Sequence, residues 1–237
     1  DKVTGTNVVA VRQTDDPASD ILIVGAHHDT SSDSPGAGGS AAGVAILLET
    51  ARLLSRMPSD TQLRFISFSG YVDEQAGCQQ YVDSLTEQER QRVIGAVLLD
   101  DLACSLDNGI VLGTEDGRKT LLGDSLRDAG RELLREDWPY ECRESGGHCR
   151  FVHGRIPAVS VRQQRETYEN GSRFDRPDTV DIERLSQVVN VLSRALSDIM
   201  SEETPSMIAK SRHYNNLRDE ATVQAAGMPV PFGEDPV

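Results

Sequence analysis

The sequence predicts an α/β fold, a three-layer α/β/α sandwich with a mostly parallel central sheet. Strand-like and helix-like segments alternate along the chain, which is the pattern of a parallel sheet with helical crossovers. The strand-like segments are also continuously apolar, as in strands that helices cover on both faces. With 237 residues the chain is long enough for one well-cored domain, which we place at residues 1–200, followed by a polar extension at 201–237.

Short apolar runs bounded by turn residues mark the predicted strands. Ile21–Val24 is the clearest, because all four side chains are apolar and would be buried on both faces of a sheet. A polar turn containing Pro17 precedes it, so we expect this strand to form a hairpin with the strand before it. In chain order, the predicted strands are Thr6–Arg12, Ile21–Val24, Gln62–Ser69, Val93–Leu99, Gly109–Gly113 and Ile156–Val161.

Apolar residues at helical spacing mark the predicted helices. Thr86 and Glu89 form a capping box, which opens a short helix that ends near Arg92. The segment Trp138–Phe151, with its paired glycines, is predicted to be an ordered loop beside the carboxyl edge of the sheet. The other predicted helices run from about Ser40 to Met57, from Gly77 to Ser84, from Lys119 to Arg135 and from Asp181 to Met200.

Polar side chains follow the Ile21–Val24 strand directly. The chain turns there into His27, His28 and Asp29, just before a Gly/Ser/Pro-rich loop and a helix. In open α/β sheets, ligands bind at the carboxyl ends of the strands. The sequence therefore places a candidate site at this edge, with His28 facing away from its neighbour His27.

Composition excludes several classes of partner. The chain has 38 acidic and 24 basic residues and a net charge of −14, which repels phosphate backbones and anionic membranes, so we expect no nucleic-acid binding. No apolar run approaches the roughly 20 residues that span a bilayer, so we expect no membrane-spanning segment in this chain. The chain starts at Asp1 without a methionine, which leaves room for a removed upstream segment, including an anchor.

Cysteine usage points weakly to a compartment. The four cysteines form no C-x-x-C pair, which disfavours a structural zinc site. Cys142 and Cys149 form either a loop disulfide or two free thiols, and Asn170–Ser172 is either a glycosylation acceptor or a chance tripeptide. The first alternative in each case fits a secreted or cell-surface protein, and we expect an extracytoplasmic location.

Six motifs now permit a comparison with a known family. In order they are GAHHDT, SPGAGGSAAGVAILLETARLL, LRFISFSGYVDEQAGCQQYV, VLLDDL, GHCRFVHGRIPA and FDRPDTVD. Their succession resembles the co-catalytic di-zinc aminopeptidase family, over roughly Thr6 to Met200. The resemblance implies a zinc-exopeptidase-like fold, which glutaminyl cyclases and the non-catalytic ectodomains of transferrin receptor and nicastrin share.

The resemblance also implies a set of zinc-binding positions, of which part is retained. Such a site needs a carboxylate that bridges two zinc ions, a histidine and a carboxylate on each ion, and a further carboxylate as general base. The first histidine falls on His27, and the acid that orients it falls on Asp29. The aspartate after the next central strand falls on Asp101, on the same metal as His27.

The remaining positions carry residues that cannot do this chemistry. The bridging aspartate falls on Gly39, the general base on Tyr71 and the adjacent ligand on Val72, and the final histidine falls on Phe174. We therefore expect no catalytic residue and no bound metal, because two protein ligands are fewer than the three or four that hold zinc.

Two acidic residues offer a substitute for the lost pair. Asp73 and Glu74 would replace the carboxylates at Tyr71 and Val72 if the loop shifted by two residues, but the unchanged spacing to Gly77 argues against a shift.

Three hypotheses follow for the function. The first is a non-catalytic peptidase-like domain that binds a protein or peptide, in which His27 and Asp29 form only a hydrogen-bonded pair. The second is a single-metal zinc hydrolase that uses His27, Asp101 and a recruited His148, with His153 in the same pocket-side loop. The third is an assembly module in which the 201–237 tail docks on a neighbouring subunit.

Overall fold

A computed structural model describes residues 4–102, 109–164 and 171–201, together with residues 207, 210 and 211. The possible glycosylation acceptor Asn170 and most of the predicted tail lie outside these residues. The seven strands are β1 (Val8–Arg12), β2 (Ile21–His27), β3 (Gln62–Phe68), β4 (Val93–Leu99), β5 (Ile110–Thr114), β6 (Tyr140–Cys142) and β7 (Ala158–Gln163). The helices are α1 (Ala42–Leu54), α2 (Ala76–Ser84), α3 (Glu87–Arg92), α4 (Leu121–Leu134), α5 (Gly147–His153) and α6 (Ile182–Ser201), with a π-helical turn at Ala37–Ala41 and a 3-10 turn at Pro177–Thr179.

The predicted mostly parallel sheet is confirmed. Its order is β1-β3-β2-β4-β7-β5-β6, and the central strands β3, β2, β4 and β7 are all parallel. The strands β1 and β5 run antiparallel to their neighbours β3 and β7, whereas β6 is parallel to β5.

The predicted hairpin between the first two strands is wrong. Strand β1 pairs with β3, with Ala10 opposite Phe65, and β2 lies on the other side of β3. The reason is burial: every residue of β2 is buried, so β2 takes a central position, whereas β1 is largely exposed and lies at the sheet edge. Three apolar side chains of this edge strand remain exposed, those of Val8, Val9 and Val11.

Alternate side chains of the central strands pack into two separate hydrophobic cores, one on each face of the sheet. Leu22 and Val24 of β2 point into a core shared with α1, α4 and α6, and Ile21 and Ile23 point into a core shared with α2 and α5. These two cores, one on each face of the sheet, are the three-layer arrangement that the sequence predicts. The predicted capping box is also present, since Thr86 and Glu89 bond each other's backbone amides at the start of α3.

The segment predicted as a loop, Trp138–Phe151, contains β6 and α5 instead. Both elements are too short to show a periodic pattern, and tertiary packing forms them: Trp138 is fully buried and β6 pairs with β5. Of the two alternatives for its cysteines, the structure has free thiols, with Cys142 exposed on β6 and Cys149 buried in α5.

Core packing continues past residue 200. Met207 is buried in the core of α1, α4 and α6, and Ser211 Oγ donates a hydrogen bond to the Ile94 carbonyl over 2.7 Å. Met207 and Ser211 therefore pack on the domain, with Ser211 at the amino end of β4.

One helix within the described ranges, Ala37–Leu54, is long and apolar enough to cross a bilayer by length and composition. Half of that segment is buried inside the protein, and α1 packs against α6 and the sheet.

Candidate functional site

The carboxyl ends of β2 and β4 bring His27 and Asp100 together. The register places Ala26 of β2 opposite Leu99 of β4, so the residues that follow them, His27 and Asp100, lie next to each other. Nε2 of His27 lies 3.3 Å from Oδ1 of Asp100, and both side chains are buried. The strand ends therefore bury an imidazole–carboxylate pair.

The carboxylate in contact with His27 is that of Asp100 and not that of Asp101, which the resemblance assigns to the same metal as His27. The Asp101 backbone has a φ of 46°, and its carboxylate lies 3.9 Å from Nη2 of Arg162. Strand alternation is the reason: His27 and Asp100 share the face of Ile23 and Leu98.

Tyr71 completes a cluster with this pair. Its ring stacks on the imidazole of His27, with centroids 4.0 Å apart and planes 9° from parallel. Its hydroxyl donates a 2.5 Å hydrogen bond to Oδ2 of Asp100, so both oxygens of that carboxylate are bonded within the protein. The position that the resemblance assigns to a general base thus holds an aromatic ring that covers the imidazole.

Burial and charge determine the protonation of the cluster. Burial lowers the pKa of His27, but the hydrogen bond and negative charge of Asp100 outweigh burial and raise it. Burial raises the pKa of Asp100, but the bonds from His27 and Tyr71 outweigh burial and lower it. Both shifts favour the ion pair of an imidazolium and a carboxylate, and burial beside that carboxylate raises the pKa of Tyr71 well above its ordinary value.

Asp29 bonds His27 through its backbone carbonyl, whereas the resemblance assigns this role to its carboxylate. Nδ1 of His27 donates to the Asp29 carbonyl over 2.9 Å, whereas the Asp29 carboxylate is 3.9 Å from that nitrogen. Oδ2 of Asp29 instead accepts the backbone amides of Tyr71 and Val72, at 2.8 and 3.2 Å. The carboxylate therefore holds the turn that carries the stacked tyrosine.

Sequence reasoning missed Asp175. Its carboxylate is fully buried and accepts the backbone amide of Gly38 over 2.5 Å and that of Gly39 over 3.0 Å. Nothing in the stretch RFDRPD distinguishes this aspartate from its charged neighbours, and the resemblance points to Phe174. Only the folded chain shows which of these side chains turns inward.

Besides Gly39, two further positions at which the resemblance expects a metal ligand, Val72 and Phe174, have exposed side chains. Val72 is 60% exposed, and Phe174 is 49% exposed with the guanidinium of Arg173 4.8 Å above its ring. Both positions therefore present an apolar side chain at the surface.

The histidines predicted near the pocket point elsewhere. Nε2 of His148 bonds the Arg143 carbonyl over 3.1 Å, and burial lowers the pKa of this histidine. His153 is mostly exposed and pairs with Glu115 over 2.7 Å. Nδ1 of His28 bonds the hydroxyl of Ser67 over 2.9 Å.

A cavity of about 280 Å³ opens above the cluster. Tyr71 and Val72 line it but Asp73 and Glu74 do not, so the two-residue shift is not seen. Its wall combines the buried cluster with charged and small residues: His27, Thr30, Ser31, Gly39, Tyr71, Val72, Gln75, Asp100, Asp101, Arg143, Ser145, Gly146 and Gly171. This composition suits a ligand with both polar and apolar groups.

Comparison with known proteins identifies the family. A sequence profile described as Peptidase family M28 matches residues 7–196, which is most of the chain. The chain belongs to peptidase family M28. The predicted resemblance to zinc aminopeptidases is thereby confirmed, and so is the fold.

Several bacterial aminopeptidases are similar to this M28 chain. Aminopeptidase YwaD of Bacillus subtilis (strain 168) is 27% identical over 216 residues, which cover 87% of this chain and 48% of that protein. The aminopeptidase from Aneurinibacillus sp. strain AM-1 has a TM-score of 0.77 at 31% identity, over 81% of this chain and 47% of its own. The glutaminyl cyclase of Fimbriiglobus ruber, with a TM-score of 0.67 at 21% identity over 80% of this chain and 74% of its own, shares the fold. The M28 chain thus spans about half the length of the aminopeptidase relatives it matches.

Proposed function

We propose that this M28 chain is a peptidase-like domain without peptidase activity, and that it binds a peptide or an exposed protein segment in the cavity above β2 and β4. The proposal has two parts, the loss of metal chemistry and the retention of a binding cleft. Each is supported by a different set of contacts.

The cluster of His27, Asp100 and Tyr71 carries the first part. To bind zinc, Nε2 of His27 would have to give up its proton and its hydrogen bond to Asp100, whose two oxygens already accept from His27 and Tyr71. Tyr71 occupies the position of the general base, stacks on the imidazole and brings no carboxylate to the site.

The lost ligand positions and His148 supply no further metal ligand. Gly39 has no side chain, Val72 and Phe174 have no electron pair to donate, and His148 bonds Arg143 instead of facing the cavity. Within the described ranges, no group of three or more His, Cys, Asp or Glu side chains is placed to hold a metal ion. The residues present therefore do not fit a zinc pair, and they give the single-metal alternative no third ligand.

The cavity and its apolar rim support the second part. Arg143 and Asp101 in its wall offer a donor and an acceptor for main-chain groups of a peptide. Val72 lines the same cavity with an exposed apolar side chain, and Phe174 is exposed in the loop whose Asp175 bonds Gly39 of the wall, although Phe174 itself does not line the cavity. Exposed apolar side chains beside a polar cleft suit a peptide with an apolar side chain.

Metal content and hydrolysis test the first part. We expect the purified chain, after incubation with zinc and desalting, to retain far less than one equivalent of zinc and to release no aniline from amino-acid anilides. An M28 aminopeptidase such as the Bacillus subtilis relative serves as the positive control. Tightly held zinc together with anilide hydrolysis would reject the proposal.

Peptide binding tests the second part. A library of peptides with varied amino-terminal residues should contain binders, and Val72→Asp or Phe174→Asp should weaken their binding. Val8→Asp, on the distant sheet edge, is the matched control for an exposed apolar residue. Equal binding by all variants would exclude this cleft as the site.

A further inference from the structure

We infer that Asp175 and Gly39 have exchanged roles: the carboxylate missing at position 39 is supplied by Asp175 from the opposite loop, where it caps the amino end of the α1 helix. The resemblance places a metal-bridging aspartate at position 39, and here that position has no side chain. A carboxylate still reaches this point, but from a different part of the chain and with backbone amides as its partners. This exchange does not depend on the proposed peptide binding.

The first step is the cap itself. The π-helical turn Ala37–Ala41 leads directly into α1, and the residue before the turn, Gly36, has a φ of 69° and provides no side-chain cap. The amides of Gly38 and Gly39 bond the two carboxylate oxygens of Asp175, and the amide of Ala37 bonds its carbonyl over 3.2 Å. One residue therefore satisfies three consecutive amides at the positive end of a helix, where a carboxylate is favoured.

The second step is the energetic requirement of the carboxylate. Asp175 is fully buried, and a buried carboxylate is costly unless hydrogen bonds replace its water. The two amide bonds, at 2.5 and 3.0 Å, provide that replacement. The side chain and the helix end are thus each satisfied by the other.

The third step is steric exclusion between the two positions. A Cβ atom built on Gly39 would lie 3.0 Å from Oδ2 of Asp175, which is closer than ordinary contact. It would also lie 3.7 Å from Oδ1 of Asp101, so an acidic side chain would add like-charge repulsion. A side chain at position 39 therefore requires the Asp175 carboxylate to move by a few tenths of an ångström, which strains its bonds to the Gly38 and Gly39 amides.

The consequence concerns how two distant segments are joined. In the family, the bridging aspartate and the final histidine would tie the helix start and the later loop to common metal ions. Here Asp175 joins the same two segments directly, 136 residues apart in sequence, by hydrogen bonds. The cross-link no longer needs an ion.

A double-mutant cycle in urea unfolding tests the exchange. In the wild-type background, Gly39→Ala should raise the unfolding equilibrium constant, because the new methyl group displaces Asp175. In the Asp175→Ala background the same substitution should lower that constant by about two- to fivefold, since alanine favours a helix over glycine. Asp175→Ala alone should raise it on the order of tenfold, from loss of the cap.

Asp178→Ala provides the matched control, because Asp178 is an exposed aspartate three residues away that pairs only with exposed Arg176 in the structure. In that background Gly39→Ala should remain destabilising. If Asp175→Ala does not fold, Asp175→Asn, which keeps one acceptor oxygen, takes its place in the cycle. An equal cost of Gly39→Ala in the wild-type and Asp175 backgrounds would overturn the inference, whereas zinc-dependent hydrolysis would reject the proposed function alone.

Discussion

Removal of the Tyr71 hydroxyl isolates the bond that closes the buried cluster. Tyr71→Phe keeps the ring stacked on His27 and deletes the donor to Oδ2 of Asp100, together with a long 3.5 Å bond that the hydroxyl accepts from the Gly147 amide. A hydrogen bond to a charged group contributes about 1.5–3 kcal/mol, and Asp100 has little access to water that could replace the donor. For a chain of this length each kcal/mol shifts Tm by about 2–4 °C, so we expect Tm to fall by roughly 3–12 °C.

Tyr81→Phe is the matched control for this variant. The Tyr81 hydroxyl accepts from Arg64, which keeps bonds to Gln62 and Glu89 when the hydroxyl is removed. We expect a cost under about 1 kcal/mol. Thermal scans by circular dichroism and urea titrations at neutral pH measure both variants. A Tyr71→Phe protein within about 0.5 kcal/mol of wild type would refute the view that Asp100 depends on this donor.

Three further predictions concern stability. Burial raises the pKa of Glu89, but bonds from Thr86 and Arg64 outweigh burial and lower it from 4.5 to about 2. The contribution of Glu89 to the free energy of unfolding is therefore full above about pH 4.5 and is lost as pH falls toward 2. Glu89→Gln should make the urea midpoint fall less steeply at acid pH, and an unchanged pH profile would contradict this. Arg12→Ala removes donors to four carbonyls, one on the last residue of α1 and three after it, and should lower the free energy of unfolding by about 1–3 kcal/mol. Arg12→Lys should recover only part of this loss, and full recovery by lysine would show that charge alone matters. Met207→Ala should cost about 2–5 kcal/mol in urea unfolding because the side chain is buried, and a negligible cost would place residue 207 outside the cooperative unit.

Local pattern predicted the elements better than their pairing. The apolar run of β4 and the capping box of α3 have the predicted bounds, because burial and capping are properties of neighbouring residues. Pairing is not local, and the hairpin prediction assumed that consecutive strands are partners. Strand β1 lies at the sheet edge with its valines exposed. The sequence did not indicate this position, because valine is typical of half-buried strands.

Prediction of the candidate site was limited in the same way, because its contacts join segments that are distant in sequence. The choice of Asp101 over Asp100 depended on aligning motifs, whereas strand alternation from Ile23 to His27 and from Leu98 to Asp100 would have placed the right pair on one face. Asp175 carried no such signal, since its role depends on a contact with Gly38 and Gly39 at long sequence separation. Side chains that act across the fold become visible only once the fold brings them together.

The exposed valines of β1 predict that association of the chain depends on salt concentration. An edge strand with exposed apolar side chains is a template for pairing with a second strand, and a net charge of −14 opposes the approach of another copy. At 0.15 M ionic strength charges are screened beyond about 8 Å, whereas the hydrophobic attraction between valines persists. Concentrated solutions are therefore expected to stay dispersed at low ionic strength and to associate as electrolyte is added, opposite to the behaviour of assemblies held by ion pairs.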